Sequence, residues 1–225
     1  MKTITNSKLF IAARNGGLKD VMDAVAEGGE VEVHDCMGST ALMQAAWKGH
    51  SDVVKFLIEA GADVNAQDKS GTTALMEASR KGHQKVVGMI VRAGATVNVQ
   101  DKNGWTALMW AVSSQNDETC QELLQDGALP DVADHQGFTP LMLSSVYGLH
   151  DIQQNLVKAG SSVDVQDENG WTALMCSCWD KTGDGTKLLL EAGADTEIVN
   201  MSGNRACEMG NRNFIDEWNE NQVKI

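Results

Sequence analysis

The chain has 225 residues, of which 31 are acidic and 18 basic, so its formal net charge is -13. This acidity argues against binding to nucleic acid or to an anionic membrane surface, because both need basic patches. No apolar run approaches the roughly 20 residues that span a bilayer, and an odd count of five cysteines predicts reduced thiols in a cytoplasmic, or else nuclear, protein.

Glycine recurs every 33 residues along almost the whole chain. One series is Gly38, Gly71, Gly104, Gly137, Gly170 and Gly203, and a second is Gly28, Gly61, Gly94, Gly127, Gly160 and Gly193. In five copies a threonine follows the glycine of the first series by two residues, and a Leu-Met pair comes next. A register held without a gap through six copies predicts an array of stacked repeats.

The elements of one repeat can be predicted from residues 35–67. Thr40 supplies a hydroxyl where a helix can start, and the apolar pattern from Ala41 to Lys48 predicts a short helix that ends at Gly49. Asp52 is expected to cap a second helix, which Gly61 closes. Neither helix is long enough to be stable alone, so stacking on neighbouring copies must hold them.

The repeat resembles an ankyrin repeat, a turn-helix-helix unit of 33 residues, in its run G-S-T-A-L-M-Q-A-A-W-K-G-H-S-D-V-V-K-F-L-I-E-A-G-A-D-V-N-A. The resemblance covers nearly the whole chain and implies an all-α ankyrin-repeat solenoid, with β-turn or hairpin tips between the helix pairs. We expect a single domain over 1–225. Its expected parts are an N-capping repeat at 6–34, full repeats at 35–67, 68–100, 101–133, 134–166 and 167–199, and a partial C-capping repeat at 200–225.

Two features of the repeats bear on how they pack. The family's usual T-P-L-H tetrapeptide has methionine in place of histidine here, which predicts thioether packing instead of a histidine hydrogen bond between turns. In the C-capping repeat, Phe214, Ile215 and Trp218 have the spacing of an amphipathic helix that covers the end of the core.

No motif for catalysis, a cofactor or a metal is predicted to be functional. Residues 180–191 resemble a calcium loop, but Thr182 replaces a ligand and the repeat register places a second helix there. Cys176 and Cys178 point in different directions on a helix and are expected to be buried free thiols. His50 and His83 are expected to bond the local backbone. The sequence thus predicts a protein that is not an enzyme and needs no cofactor.

The resemblance implies that partners bind a concave groove formed by the turn tips and the exposed side of each first helix. Six of the eleven aromatic residues fall on fifteen such positions. The candidate partner-binding residues are Trp47, Lys48, Arg80, Lys81, Trp105, Trp110, Phe138, Val146, Tyr147, Trp171 and Trp179. Exposed aromatic side chains often mark binding sites. For Trp110 two roles stay open, membership of this patch or filling a gap between helices.

These residues predict a protein-protein interaction module or adaptor, monomeric apart from its partner. The partner is expected to present apolar side chains to repeats four to six and acidic groups to repeats two and three, where the basic residues lie. One alternative is a regulatory subunit or an assembly chaperone similar to gankyrin, which the chain resembles in size only. Another is a substrate of an ankyrin asparaginyl hydroxylase, since Leu57, Asp63, Val64 and Asn65 fit that enzyme's preference.

Overall fold

The structure is a computed structural model that describes residues 2–178, 183–209 and 215. The chain forms two compact units, residues 1–128 and residues 129–225. The helices of the first unit are α1 (Lys2–Asn15), α2 (Leu18–Ala26), α3 (Ala41–Lys48), α4 (Ser51–Glu59), α5 (Ala74–Arg80), α6 (Gln84–Arg92), α7 (Ala107–Ser113) and α8 (Asp117–Gln125). Those described in the second unit are α9 (Pro140–Val146), α10 (His150–Lys158), α11 (Ala173–Ser177), α12 (Asp184–Glu191) and a 3-10 turn at Ala206–Glu208.

The regular secondary structure of the described residues is therefore helical, as the predicted fold class requires. Their only β-type pairing is an isolated antiparallel bridge between His34 and Thr40. None of the helices described is both long and apolar enough to cross a membrane.

A threonine hydroxyl caps the start of the first helix in each of the five full repeats. Thr40 accepts a hydrogen bond from the Met43 backbone N–H at 3.2 Å. Thr73, Thr106, Thr139 and Thr172 make the same bond at 3.3 Å. Such a cap satisfies a helical N–H that has no partner within the helix, and each contributes about 1 kcal/mol.

The sequence predicts the end of α3 correctly and the start of α4 incorrectly. Gly49 closes α3 in the left-handed conformation, with φ of 76°. The second helix begins at Ser51, so Asp52 lies in its first turn, where its Oδ1 accepts the N–H of Val53. His50 occupies the capping position, but its side chain does not cap the helix. The main-chain carbonyl of His50 accepts the N–H of Val54, and this backbone bond is the first of the helix.

An acidic or amide side chain fixes each turn between helix pairs. Asp68 Oδ1 accepts the N–H groups of Ser70 and Thr72, at 2.7 and 2.9 Å. Gly71, with φ of 79°, completes this turn, and a Cβ there would lie 3.0 Å from the Cα of Asp101 in the next turn. One backbone bond also links neighbouring turns, for example from Lys102 N to Ser70 O. A side chain at Gly71 would therefore both strain the backbone and crowd the next turn.

In the first unit, the helices form two stacked rows. The first helices α1, α3, α5 and α7 pack in order, and the second helices α2, α4, α6 and α8 pack in a parallel row. Leucines of the first helices and their neighbouring methionines fill the space between the rows. Leu42, Met43, Leu75, Met76, Leu108 and Met109 are all buried. The methionines are thus core residues, as predicted, and Met43 also brings its Sδ to 3.3 Å from the Thr40 N–H, which the sequence did not predict.

The second unit repeats this packing with a more polar core. Helix α9 packs on α11, and α10 packs on α12. Gln153 and Thr186, both fully buried, stand where the first unit has Val54 and Val87. Ile215 is buried, whereas the predicted cap residues Phe214 and Trp218 lie outside the described residues.

Candidate functional site

The residues predicted to bind a partner lie at the ends of the first helices and just after the turn glycines. We call these positions the first-helix face of each unit. In the first unit this face contains Trp47, Lys48, Arg80, Lys81 and Trp105, together with Trp110. In the second unit it contains Phe138, Val146, Tyr147 and Trp171. The remaining predicted residue, Trp179, lies outside the described residues.

In the first unit, Trp47 is a support for two lysine side chains. The Nζ of Lys48 lies 4.4 Å from the centre of its ring, and the Nζ of Lys81 lies 5.2 Å from it. Both lysines are exposed, while Trp47 is half-buried and its indole Nε1 is inaccessible and makes no hydrogen bond. A cation over a tryptophan face is attracted by the ring quadrupole. The ring therefore holds two exposed positive charges close together and offers little open apolar surface of its own.

Arg80 lies between an acidic and an aromatic side chain. Its guanidinium carbon is 5.4 Å from the ring centre of Trp110, and its Nη2 is 3.2 Å from Oε2 of Glu77. Burial raises the pKa of the Glu77 carboxyl, and the charge of Arg80 opposes this rise only in part. The arginine is thus already paired, so Lys48 and Lys81 are the more available cations on this face.

Trp110 packs against Trp105. Their ring centres are 4.7 Å apart with an angle of 57° between the planes. The indole Nε1 of Trp110 donates to Asp101 Oδ2 at 3.2 Å, while Asp101 Oδ1 accepts the backbone N–H of Trp105 at 2.9 Å. Trp110 therefore fills the gap beside the turn and remains half-buried on the first-helix face.

The second unit presents a more apolar first-helix face. Val146 and Tyr147 are 53% and 48% exposed, at the end of α9. A recess of about 320 Å³ lies beside Val146, lined also by Phe138, Asp167, Asn169, Trp171 and Cys176. The contribution of Asp167, Asn169 and Cys176 was not predicted from the sequence. The signal was present in the repeat register, which places the small Cys176 where the third complete repeat has Trp110.

The histidines and cysteines have structural positions. His50 Nε2 lies 3.1 Å from the carbonyl oxygen of Arg14, and His83 Nε2 lies 3.1 Å from that of Trp47. The prediction that these side chains bond the backbone is confirmed, but each acceptor carbonyl belongs to the preceding helix pair and not to the local backbone. Cys176 and Cys178 are buried thiols that form no disulfide, as predicted. Burial, with a contribution from Asp167, raises the pKa of Cys176 to about 12, so this thiol stays neutral.

The segment that resembles a calcium loop is helical over Asp184–Glu191, as the repeat register predicts, while residues 180–182 lie outside the described residues. Among the residues that the structure describes, no three histidine, cysteine or acidic side chains are grouped as metal ligands.

Asn65, the candidate for hydroxylation, is exposed and joins two adjacent loops. Its Oδ1 accepts the N–H of Thr96 at 2.7 Å, and its Nδ2 donates to the carbonyl oxygen of Gly94 at 3.2 Å. Asn98 makes the equivalent bond to Gly127. Hydroxylation of Asn65 stays a prediction, and a mass increase of one oxygen on the peptide containing this residue would test it.

Comparison with known proteins agrees with this architecture. The family model for ankyrin repeats matches three times, over residues 9–101, 89–167 and 128–200. The fold is similar to the crystal structure of the ankyrin repeat domain of human ASB11, with a TM-score of 0.80 and 27% sequence identity over 90% of each chain. No curated protein sequence matches the chain significantly.

The chain belongs to the ankyrin repeat family. Ankyrin repeats are generally protein-protein interaction modules, and their fold is typically a non-enzymatic scaffold.

Proposed function

We propose that this protein is a protein-binding adaptor that recognises its partner through the first-helix face. The observation that carries the proposal is the exposure of Val146 and Tyr147 on the second unit. Adjacent exposed apolar and aromatic side chains are costly in water and are frequent in binding hot spots. The nearby recess offers a concave surface into which a partner side chain can insert.

The first unit is proposed to bind acidic groups of the partner. Lys48 and Lys81 are supported on the ring of Trp47, so their ammonium groups lose less conformational freedom on binding a carboxylate. Arg80 contributes less, because Glu77 already neutralises it. The proposed partner therefore presents carboxylates to the first unit and apolar side chains to the second.

The test begins with the purified full-length protein as bait, followed by mass spectrometry and measurement of the dissociation constant with the purified partner. Lys48→Glu combined with Lys81→Glu should weaken binding, as should Val146→Ser combined with Tyr147→Ser. Trp171→Ala should cost about 2 kcal/mol of binding free energy. Trp105→Ala should cost a similar amount. Because Trp105 packs on Trp110, the stability of this variant must be measured as well.

Matched controls separate the first-helix face from the rest of the surface. Lys85→Glu changes the same charge on an exposed site of α6, and Val199→Ser removes an apolar side chain that is 50% exposed. Both controls should bind as the wild type does. Wild-type affinity in all of the first-helix-face variants would refute the proposal.

A further inference from the structure

One of the side chains that line the recess in the second unit is small. The aligned position on the first helices holds Ile11, Gln44, Glu77, Trp110, Leu143 and Cys176 in successive repeats. Cysteine is the smallest of the six, and Cys176 lines the recess together with Trp171 and Asp167. Two repeats earlier, the residues aligned with this trio are Trp110, Trp105 and Asp101. Within these trios, the two sites differ in the indole that one contains and the other lacks.

The repeat with Trp110 shows how an indole fills such a site. The ring packs on Trp105 at 4.7 Å between centres, and its N–H donates to Asp101 Oδ2. The first carboxylate oxygen of Asp101 is already used to hold the turn, by accepting the N–H of Trp105. One side chain thus supplies both an apolar surface and a hydrogen-bond donor.

The recess retains two of the groups that Trp110 contacts, a tryptophan ring and a carboxylate oxygen, but has Val146 where Arg80 lies over the Trp110 ring. Trp171 is half-buried at the edge of the recess, and its main-chain N–H donates to Asp167 Oδ1 at 2.8 Å, as in the earlier repeat. Within the described part of the chain, Asp167 Oδ2 makes no hydrogen bond, so it lacks the donor that Trp110 gives to Asp101. The neutral thiol of Cys176 adds no charge to the site. Phe138 and Val146 add apolar surface to the lining of the recess. A planar aromatic side chain with a hydrogen-bond donor is therefore the complementary ligand.

We propose that the recess binds the indole side chain of a tryptophan in the partner protein. This inference rests on the proposed function and names the partner's anchor residue. The indole packs against Trp171 and its N–H donates to Asp167 Oδ2, in the position that Trp110 occupies in its own repeat. A carboxylate acceptor favours an indole over a phenylalanine ring, which has no N–H to donate.

The direct test uses N-acetyl-L-tryptophanamide as the probe and the full-length ¹⁵N-labelled protein. Titration should give saturable amide shifts at Asn169, Trp171 and Cys176, with a dissociation constant on the order of 1 mM, as expected for so small a ligand. N-acetyl-L-phenylalaninamide should bind about tenfold more weakly, because it leaves Asp167 without a donor. Equal binding of the two probes, or no saturable shift, would overturn the proposal.

Two variants test the site from opposite directions. In Cys176→Trp, the protein's own indole should fill the recess and abolish probe binding. Asp167→Asn should weaken it about tenfold or more, while the turn is kept, because Asn200 already holds the next turn through the same two bonds. If Cys176→Trp does not fold, Asp167→Asn still decides the question. Unchanged probe binding in Asp167→Asn would contradict the assigned hydrogen bond.

The purified partner distinguishes this inference from the proposed function. If Asp167→Asn binds the partner as tightly as the wild type while Lys48→Glu with Lys81→Glu binds it weakly, the indole anchor is wrong and the first-helix face stands. If all of these variants bind the partner normally, the proposed function fails even where the probe occupies the recess. Loss of partner binding in both Asp167→Asn and the lysine variant supports both.

Discussion

The imidazole Nε2 of His83 lies 3.1 Å from the main-chain carbonyl oxygen of Trp47, 36 residues earlier in the chain. This bond ties the start of one second helix to the end of the first helix in the preceding pair. Asn116, at the aligned position one repeat later, does the same with its Nδ2, which donates to the carbonyl oxygen of Ser79 at 3.2 Å.

We therefore expect His83→Ala to lower the free energy of unfolding by about 1 kcal/mol, because a half-buried carbonyl loses its donor. His83→Asn should retain most of the stability, since the aligned asparagine makes the equivalent bond. Urea unfolding of the two variants checks this. A loss as large in His83→Asn as in His83→Ala would show that the bond is not what stabilises the pair.

Glu77 should make stability depend on pH. Burial raises the pKa of its carboxyl from the ordinary value of 4.5, so the folded state binds the proton more tightly than the unfolded state. The contribution of Glu77 to stability is then greatest below about pH 4.5 and falls as pH rises through the folded-state pKa. Glu77→Gln, which stays neutral, should be more stable than the wild type near neutral pH and equally stable in acid. Thermal melting across this range measures the difference.

Arg80 provides the control for this pH dependence. Its positive charge opposes the rise in the Glu77 pKa, so Arg80→Met should raise that pKa further and steepen the loss of stability with pH. A pH profile unchanged by both substitutions would remove Glu77 as its cause.

Gln153 should be replaceable with a gain in stability. It is fully buried, and its Nε2 donates to Ser145 Oγ at 2.8 Å, but its Oε1 has no hydrogen-bond partner. Because an unsatisfied buried carbonyl costs roughly 1–3 kcal/mol, Gln153→Leu should raise the free energy of unfolding by about 1 kcal/mol. Gln153→Glu should do the opposite at neutral pH, since it buries a charge. Chemical denaturation followed by circular dichroism distinguishes the two, and a destabilised Gln153→Leu would be contrary to this reasoning.

The cysteines should differ in reactivity. Cys36 is exposed, whereas burial raises the pKa of Cys120 and of Cys176 to about 12. Since the thiolate is the reactive form, iodoacetamide at mildly alkaline pH should modify Cys36 first and leave Cys120 and Cys176 largely unmodified. Peptide mass spectrometry over time gives the rates, and the denatured protein is the control in which the difference should vanish. Rapid native labelling of Cys176 would show that the second unit opens easily.

Local rules explain why the sequence predicts the helices well and the site less well. A threonine hydroxyl and a left-handed glycine fix α3 through neighbours in sequence, so both of its ends could be predicted. The surroundings of Trp47 depend instead on Lys81, which belongs to the next repeat and whose direction is set by packing. The recess could not be predicted from exposed aromatics alone, because its lining also includes Asp167, Asn169 and the small Cys176.

The residues that follow the turn glycines all contribute a main-chain N–H to their turns. Ser39, Thr72, Trp105, Phe138 and Trp171 each give a main-chain N–H to the aspartate that starts the turn. The turn therefore has the same geometry whether the side chain is a hydroxyl or an indole. New binding specificities can accordingly be selected by randomising these five codons, while the aspartates, glycines and threonines that build the scaffold are kept constant.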